Sequence, residues 1–279
     1  MRAHPLLLAA LALMALAVSS APGHAQEREQ VTITSPLAGL GPFTALLLRP
    51  QGAGPFPAII ALHGCGGLLN KEGELARRET DWANRLVGAG YVVLFPDSFT
   101  ARGFRQICTA HDRAIFPRDR AGDVAAATEW LAKQPFVDSK RLGLMGWSHG
   151  AMTALWAVRS GFMAGAPQFK TAIAFYPGCR EIAKLPNWRP RLPLTVLIGG
   201  ADDWTQPGPC RELAQRAGFK FIEYPGAYHG FDAPKSKVRV RKGLGAVKGG
   251  EAHVGTDPVA RPAAIKEVMG TLAAALGGP

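Results

Sequence analysis

The chain has 279 residues, 47% of them hydrophobic, and a formal net charge of +11. This length and apolar content suffice for one large domain with a substantial core, and no internal repeat or long low-complexity tract divides the sequence. Six Lys and Arg side chains, with no acid among them, lie between residues 234 and 250 and account for more than half of the excess charge. The basic character is therefore local, so we expect no nucleic-acid partner.

The N-terminus has the pattern of a secretory signal peptide. Arg2 and His4 precede an apolar run over residues 6–18, and small residues stand at Gly23 and Ala25, just before Gln26. The run is shorter than the roughly 20 apolar residues that a spanning helix needs, and no later stretch reaches that length. We therefore expect residues 1–25 to be removed and residues 26–279 to form a single exported domain, periplasmic or secreted, without a membrane span.

Strands and helices alternate along the rest of the chain. Several candidate strands are near-continuous apolar runs, as expected for strands that are buried on both faces. The alternation predicts an α/β fold with a mainly parallel, eight-stranded sheet and helices on both faces. The predicted strands are residues 31–34, 43–49, 58–63, 91–95, 142–147, 171–176, 194–198 and 219–224, and the predicted helices are 74–87, 119–133, 149–159, 209–217 and 258–276.

Ser148 lies in a Gly-x-Ser-x-Gly pattern between a predicted strand and a predicted helix. In a nucleophile elbow the serine sits on a tight strand-to-helix bend with its hydroxyl exposed, and Gly146 and Gly150 would let the backbone fold closely around it. The pattern alone is weak in a chain with 33 glycines, and the alternative is an ordinary turn into a helix. The strand before it and the helix after it favour a nucleophilic Ser148.

Two further strand ends carry the residues that a serine nucleophile requires. Asp202 and Asp203 follow the strand at 194–198, and His229 follows the strand at 219–224. The order Ser, Asp, His is that of the α/β-hydrolase fold, where histidine takes the serine proton and a carboxylate orients the imidazole. We assign Asp202 as this carboxylate, with Asp203 as the competing choice; ordinary turn and loop roles are the alternative for each residue.

Acyl transfer also needs hydrogen-bond donors for the developing oxyanion. These are usually the backbone N–H after the nucleophile and another from the loop after the third strand. The first donor is then His149. The second falls in the glycine-rich segment 63–67, where Cys65 is our choice.

The four cysteines remain in the exported chain, where an oxidising compartment favours disulfides. Four cysteines permit three pairings. We predict Cys65 with Cys108, in loops at one sheet edge, and Cys179 with Cys210, after neighbouring strands; free buried thiols are the alternative. No Cys or His spacing indicates a zinc site, and we expect no cofactor.

With these residues assembled, the chain resembles the dienelactone hydrolase family of α/β-hydrolases over nearly all of residues 30–276. The segments that carry the resemblance are 58–67, 95–99, 146–150, 199–203 and, most family-like, 224–231. The resemblance implies a cofactor-independent hydrolase of esters or lactones, with Ser148, Asp202 and His229 at the triad positions. The founding enzymes have cysteine where this chain has Ser148, and an arginine near the position of Ala233.

Four residues are candidate substrate contacts, one of them suggested by the resemblance. Arg102 falls near another family arginine and could bind an acidic substrate group, although a solvated loop arginine fits equally well. Trp147, Trp204 and Phe231 could line an aromatic cleft for bulky or polymeric esters, although aromatic residues near a site are often core residues.

The leading hypothesis is thus an exported serine esterase acting on a small-molecule or polymeric ester. The alternative from another class is a non-catalytic binding protein on the same scaffold, with the basic, Gly-rich insertion at 234–256 holding anionic polymers or surfaces through residues 234–250. A basic loop of this kind is more often solvated than a binding site. A peptidase shares the chemistry, but no segment suggests a peptide-binding domain.

Overall fold

An eight-stranded sheet forms the centre of the structure, a computed structural model that describes residues 27–34, 41–111, 115–162 and 168–278. The strand order is β1-β2-β4-β3-β5-β6-β7-β8. Strand β2 runs antiparallel to β1 and β4, and the remaining neighbours are parallel, so the predicted eight-stranded, mainly parallel sheet is confirmed. The strands are β1 Glu27–Ile33, β2 Phe43–Arg49, β3 Phe56–Leu62, β4 Val92–Pro96, β5 Val137–Trp147, β6 Phe169–Phe175, β7 Leu194–Gly199 and β8 Lys220–Tyr224. The predicted signal peptide lies outside the described residues.

Helices cover both faces of this sheet, as two glycines of β5 show. A Cβ on Gly143 would meet Leu272 and Leu276 of the last helix, whereas a Cβ on Gly146 would meet the helix that follows Ser148. Positions three apart on a strand face opposite sides, so these two helices lie on opposite faces. The helices are α1 Arg77–Gly88, α2 Pro117–Ala132, α3 His149–Ala157, α4 Arg180–Ala183, α5 Gly208–Ala217 and α6 Ala260–Leu276. No helix within these described ranges is both long and apolar enough to cross a bilayer.

Three short elements were not predicted. Helix α4 has four residues, and the strands β9 Arg239–Arg241 and β10 Ala252–Val254 have three each and pair antiparallel outside the main sheet. Elements of this length are too short to show a period of 3.6 or 2 in their apolar residues. All three lie close to the carboxyl ends of the parallel strands, where they shape the candidate site.

The insertion at 234–256 is anchored to the body of the protein at a few points, although most of its basic side chains are exposed. Leu244 is 1% exposed and joins a small apolar cluster with Cys65, Phe99 and Cys108. The backbone N–H of Gly245 donates to the Cys108 carbonyl at 3.1 Å, and a Cβ on Gly245 would lie 2.2 Å from the Ala110 carbonyl. Most of the basic side chains are solvated as expected, but the anchoring through Leu244 was not expected, because it depends on one apolar residue in a segment that is otherwise Gly-rich and basic.

Candidate active site

Ser148 occupies a strained turn between β5 and α3. Its backbone has φ 52° and ψ −114°, a conformation that residues with a side chain rarely adopt. The flanking glycines are required by space: a Cβ on Gly146 would lie 2.5 Å from the Gly150 carbonyl, and one on Gly150 would lie 2.1 Å from that of Leu62. The backbone N–H of Ser148 donates to the Phe175 carbonyl at 2.9 Å and fixes the turn against β6. This is the geometry of a nucleophile elbow.

Asp202 and His229 form a buried pair. Nδ1 of His229 lies 2.8 Å from Oδ2 of Asp202, and the two residues are 5% and 2% exposed. The backbone N–H groups of Trp204 and Thr205 donate to Oδ1 of Asp202, and the Thr205 hydroxyl donates to Oδ2 at 3.0 Å. These bonds, in the turn after β7, hold the carboxylate in position. Because Nδ1 is the nitrogen that faces the carboxylate, Nε2 is the one that can accept a proton from a nucleophile.

The imidazole of His229 lies between two aromatic rings. Its centroid is 4.4 Å from that of Tyr176, which follows β6, and 4.6 Å from that of Trp204. Sequence reasoning named Trp204 but missed Tyr176 and Thr205. Thr205 could have been found from its place three residues after an aspartate at a strand end, where a hydroxyl often contacts the aspartate.

Ser148, His149, Cys65 and Trp204 line one cavity of about 470 Å³. The structure therefore brings the predicted nucleophile, both predicted oxyanion donors and one predicted aromatic contact to the same space. The insertion supplies part of the opposite wall through Val247 and Lys248. The guanidinium of Arg241, also from the insertion, lies 5.3 Å from the ring centroid of Trp204.

The segments that carry the two oxyanion donors approach each other closely. A Cβ on Gly64 would lie 3.4 Å from the Trp147 carbonyl and 3.6 Å from Cβ of Ser148, at van der Waals distance, so the two segments are close neighbours. A disulfide joins Cys65 to Cys108, and a second joins Cys179 to Cys210, so the structure contains the pairing expected from the sequence. The first of these ties the oxyanion segment to the loop on which the insertion packs.

The buried Arg120, which sequence reasoning missed, contacts both of the segments that carry the oxyanion donors. Nη1 of Arg120, on α2, lies 3.0 Å from the carbonyl oxygen of His63 and 3.0 Å from Nδ1 of His149. Burial lowers the pKa of Arg120 to about 10, with Asp123 opposing the change, so the side chain stays charged at neutral pH. Burial, and then the charge of Arg120, hold the pKa of His63 well below its ordinary value, so the His63 ring is neutral. The sequence feature that could have identified Arg120 is its position, as a charged residue, within the Ala-rich helix 117–132.

Two of the expected substrate contacts are buried in the core, near the carboxylate of Asp232. Asp232 accepts hydrogen bonds from the indole N–H groups of Trp82 and Trp147, each at 2.8 Å, and from the hydroxyl of Tyr176 at 2.6 Å. Trp147 and Phe231 are both 0% exposed. They are core residues and do not line a cleft, which corrects the expectation of substrate contacts for both.

Arg102 is also engaged elsewhere. Both of its Nη nitrogens bond the carboxylate of Asp123, at 3.0 and 2.7 Å, and Nη1 also donates to the Ser98 carbonyl. Asp123 is 0% exposed, so its charge needs this partner. The expected contact between Arg102 and an acidic substrate group is therefore not supported. In the described part of the chain, no three His, Cys, Asp or Glu side chains are grouped as metal ligands.

Comparison with known proteins places these features in a family. Residues 43–273 match the dienelactone hydrolase family. A protein of Bradyrhizobium assigned as a 2-oxo-3-(5-oxofuran-2-ylidene)propanoate lactonase is 26% identical over 215 residues, which cover 67% of this chain and 78% of the relative.

Solved structures share the fold. A protein from Klebsiella pneumoniae assigned as a dienelactone hydrolase superposes with a TM-score of 0.67 at 19% identity, covering 90% of this chain and 99% of that one. Thermogutta terrifontis esterase 2, in a form phosphoramylated by tabun, superposes with a TM-score of 0.58 at 18% identity, covering 90% and 95%.

Proposed function

Since the chain belongs to the dienelactone hydrolase family and is therefore a hydrolase, we propose that it cleaves carboxylic esters or lactones through an acyl-enzyme on Ser148. One observation carries the proposal: a buried Asp202–His229 pair, with 2.8 Å between Oδ2 and Nδ1, accompanies a serine held at a strained elbow that opens on a cavity. Nucleophilic acyl transfer by serine requires an elbow serine and an imidazole oriented by a carboxylate, and the structure contains both of these elements. The relative assigned as a lactonase supports including lactones, besides open-chain esters, among the proposed substrates.

The proposed reaction has two steps with balanced proton transfers. Oγ of Ser148 attacks the carbonyl carbon while Nε2 of His229 takes the hydroxyl proton, and Asp202 stabilises the resulting imidazolium. The C–O bond to the alcohol then breaks, and His229 protonates the leaving oxygen. Water, deprotonated by His229, attacks the acyl carbon. The bond to Oγ of Ser148 then breaks, His229 returns its proton to Oγ, and the acid is released. A lactone follows the same course, except that the leaving alcohol stays attached to the acyl chain.

The backbone N–H groups of Cys65 and His149 would receive the negative charge that develops on the carbonyl oxygen. Such donors act mainly in the transition state, so their fixed positions raise the rate rather than the substrate affinity. Arg120 contacts both segments that carry these donors, at the His63 carbonyl and at the His149 ring. We assign it as a positioning residue for the two donors.

The proposed location is exported. The two disulfides of the structure indicate an oxidising compartment, in agreement with the signal peptide predicted for residues 1–25. The proposed mechanism needs only side chains, backbone N–H groups and water, so the proposal includes no cofactor.

A fluorophosphonate probe tests the nucleophile directly, because it labels an activated serine. The purified exported form should be labelled on the peptide that contains Ser148 and should hydrolyse p-nitrophenyl acetate. Ser148→Ala should lose labelling and about 10⁶ of kcat, as a guide from a comparable triad. The matched control is Ser160→Ala, which changes an exposed serine on the surface.

The results separate the competing functions. Label on another residue, or wild-type turnover by Ser148→Ala, would refute the assignment. Absence of both label and turnover, together with salt-sensitive retention of the protein on heparin, would instead favour the non-catalytic binding protein.

A further inference from the structure

A second cavity adjoins the one that holds Ser148. Its volume is about 410 Å³, within the range of pockets that hold small organic ligands. The two cavities share Met152, Gly178 and Glu181 in their linings. A group bound in the second cavity could therefore belong to the molecule whose carbonyl carbon is at Ser148.

We propose that this side pocket, formed by Phe116, Met152, Leu155, Trp156, Gly178 and Ile182, binds an apolar aryl or alkyl part of the substrate. The inference rests on the proposed function and narrows it to esters with a sizeable apolar group. Neither the family match nor the relatives assign a ligand to this pocket.

The position of Met152 connects the side pocket to the nucleophile. Its backbone N–H donates to the Ser148 carbonyl at 2.9 Å, in the first turn of α3, so the pocket begins one helical turn from the reacting serine. A Cβ on Gly178 would lie 3.0 Å from Sδ of Met152, so glycine keeps this junction open. The proposal requires a substrate chain of a few carbons to extend from one cavity into the other at this junction.

The lining of the side pocket fits an uncharged occupant. Phe116 is 46% exposed and is the one exposed aromatic side chain among the residues the structure describes. The two charged residues of the lining have partners of opposite charge: Nζ of Lys184 lies 2.7 and 2.9 Å from the carboxylate oxygens of Glu181, and Nε of Arg118 lies 3.5 Å from Oδ1 of Asp119. An apolar group that covers Phe116 and Trp156 would be stabilised by the area it removes from water.

A comparison of ester chain lengths tests the proposal. Hydrolysis of p-nitrophenyl acetate and octanoate probes the acyl side, and hydrolysis of methyl and octyl acetates probes the alcohol side. We expect Phe116→Ala to lower kcat/KM for the long ester of at least one series by about tenfold relative to the short ester, because part of the apolar wall is lost. Phe116→Leu, which keeps an apolar wall, should retain most of the preference.

Phe136→Ala is the matched control. It removes the same side chain, also stacked with an arginine, at the amino end of β5, away from Ser148. Unchanged chain-length preference in Phe116→Ala and in Trp156→Ala would overturn the side pocket while leaving the esterase intact. Failure of the wild-type protein to hydrolyse any of the four esters would overturn the proposed function, and this inference with it.

Discussion

Nδ1 of His253 lies 2.7 Å from one carboxylate oxygen of Asp203, and the backbone N–H of His253 donates to the other at 2.8 Å. Asp203 is thus committed to β10 in the insertion, whereas its neighbour Asp202 faces His229. Two adjacent aspartates, which the sequence leaves as competitors, have separate partners. The turn after β7 both orients the imidazole and anchors the insertion.

The two aspartates provide a matched pair of substitutions. Asp202→Asn should lower kcat for p-nitrophenyl acetate by about 10⁴, because an amide no longer stabilises the imidazolium or fixes its tautomer. Asp203→Asn should leave kcat within a few-fold of wild type. Steady-state kinetics on both variants checks this, and equal losses, or a larger loss in Asp203→Asn, would contradict our assignment of the triad carboxylate.

Arg120 offers a test of positioning. Arg120→Met should lower kcat about 10- to 100-fold with little change in KM, because the Cys65 and His149 donors act mainly in the transition state. The melting temperature should fall as well, because the substitution removes a buried donor from the His63 carbonyl and from Nδ1 of His149.

Arg120→Lys separates charge from geometry. It keeps a cation, but its ammonium is one bond closer to the backbone than Nη1, the nitrogen that contacts both His63 and His149. We therefore expect a kcat between that of Arg120→Met and that of the wild-type enzyme. A kcat equal to wild type in Arg120→Met, with only the melting temperature lowered, would show a merely structural arginine.

His63 makes stability depend on pH. Burial and the charge of Arg120 lower its folded-state pKa well below 6.5, whereas the unfolded chain binds a proton as the pH falls through about 6.5. The unfolded state then holds more protons, so the free energy of unfolding falls as the pH drops below about 6.5, by up to about 1.4 kcal/mol per pH unit from this one group. His63→Asn should reduce that slope. Urea unfolding at pH 7.5 and 5.5 measures it, and identical slopes in the two proteins would refute the prediction.

The two disulfides should differ in their effect on the rate. They span 43 and 31 residues, so the loop-entropy relation gives each a similar contribution to stability of about 4 kcal/mol. Removing Cys65–Cys108 by double alanine substitution should also lower kcat, since Cys65 is a proposed oxyanion donor. Removing Cys179–Cys210 serves as the control. Thermal melts and kcat below both melting temperatures test this, and an equal kcat loss in both double variants would count against it.

The strand–turn pattern explains why the fold and the triad candidates could be predicted. Ser148 directly follows β5, and Asp202 and His229 lie in the turns after β7 and β8. Parallel strands place such positions at one sheet edge. The contacts of Arg120 could not be predicted in this way. His63 and His149 are 57 and 29 positions from Arg120 in the sequence, and the sequence does not reveal which side of α2 faces them. The Asp232 network similarly joins Trp82, Trp147 and Tyr176 across several elements.

Burial was the main source of error for the aromatic residues. Trp147 and Trp204 both flank predicted site residues in the sequence, yet Trp147 ends a central strand and is 0% exposed, whereas Trp204 lines the cavity. Whether a side chain beside a site points inward or outward depends on the twist of the turn, which local sequence does not specify. The basic composition of residues 234–250 likewise concealed Leu244, whose burial attaches the whole insertion.

Because the insertion is attached apart from the reacting groups, substrate selectivity and catalysis can change separately in evolution. Val247 and Lys248 border the space beside Ser148, but they come from a segment that supplies none of the proposed triad or oxyanion groups. Mutations, deletions or exchanges in this segment can therefore alter which molecules enter while the reacting groups stay as they are. New selectivity can arise here as long as Leu244 and the Asp203–His253 pair continue to hold the segment in place.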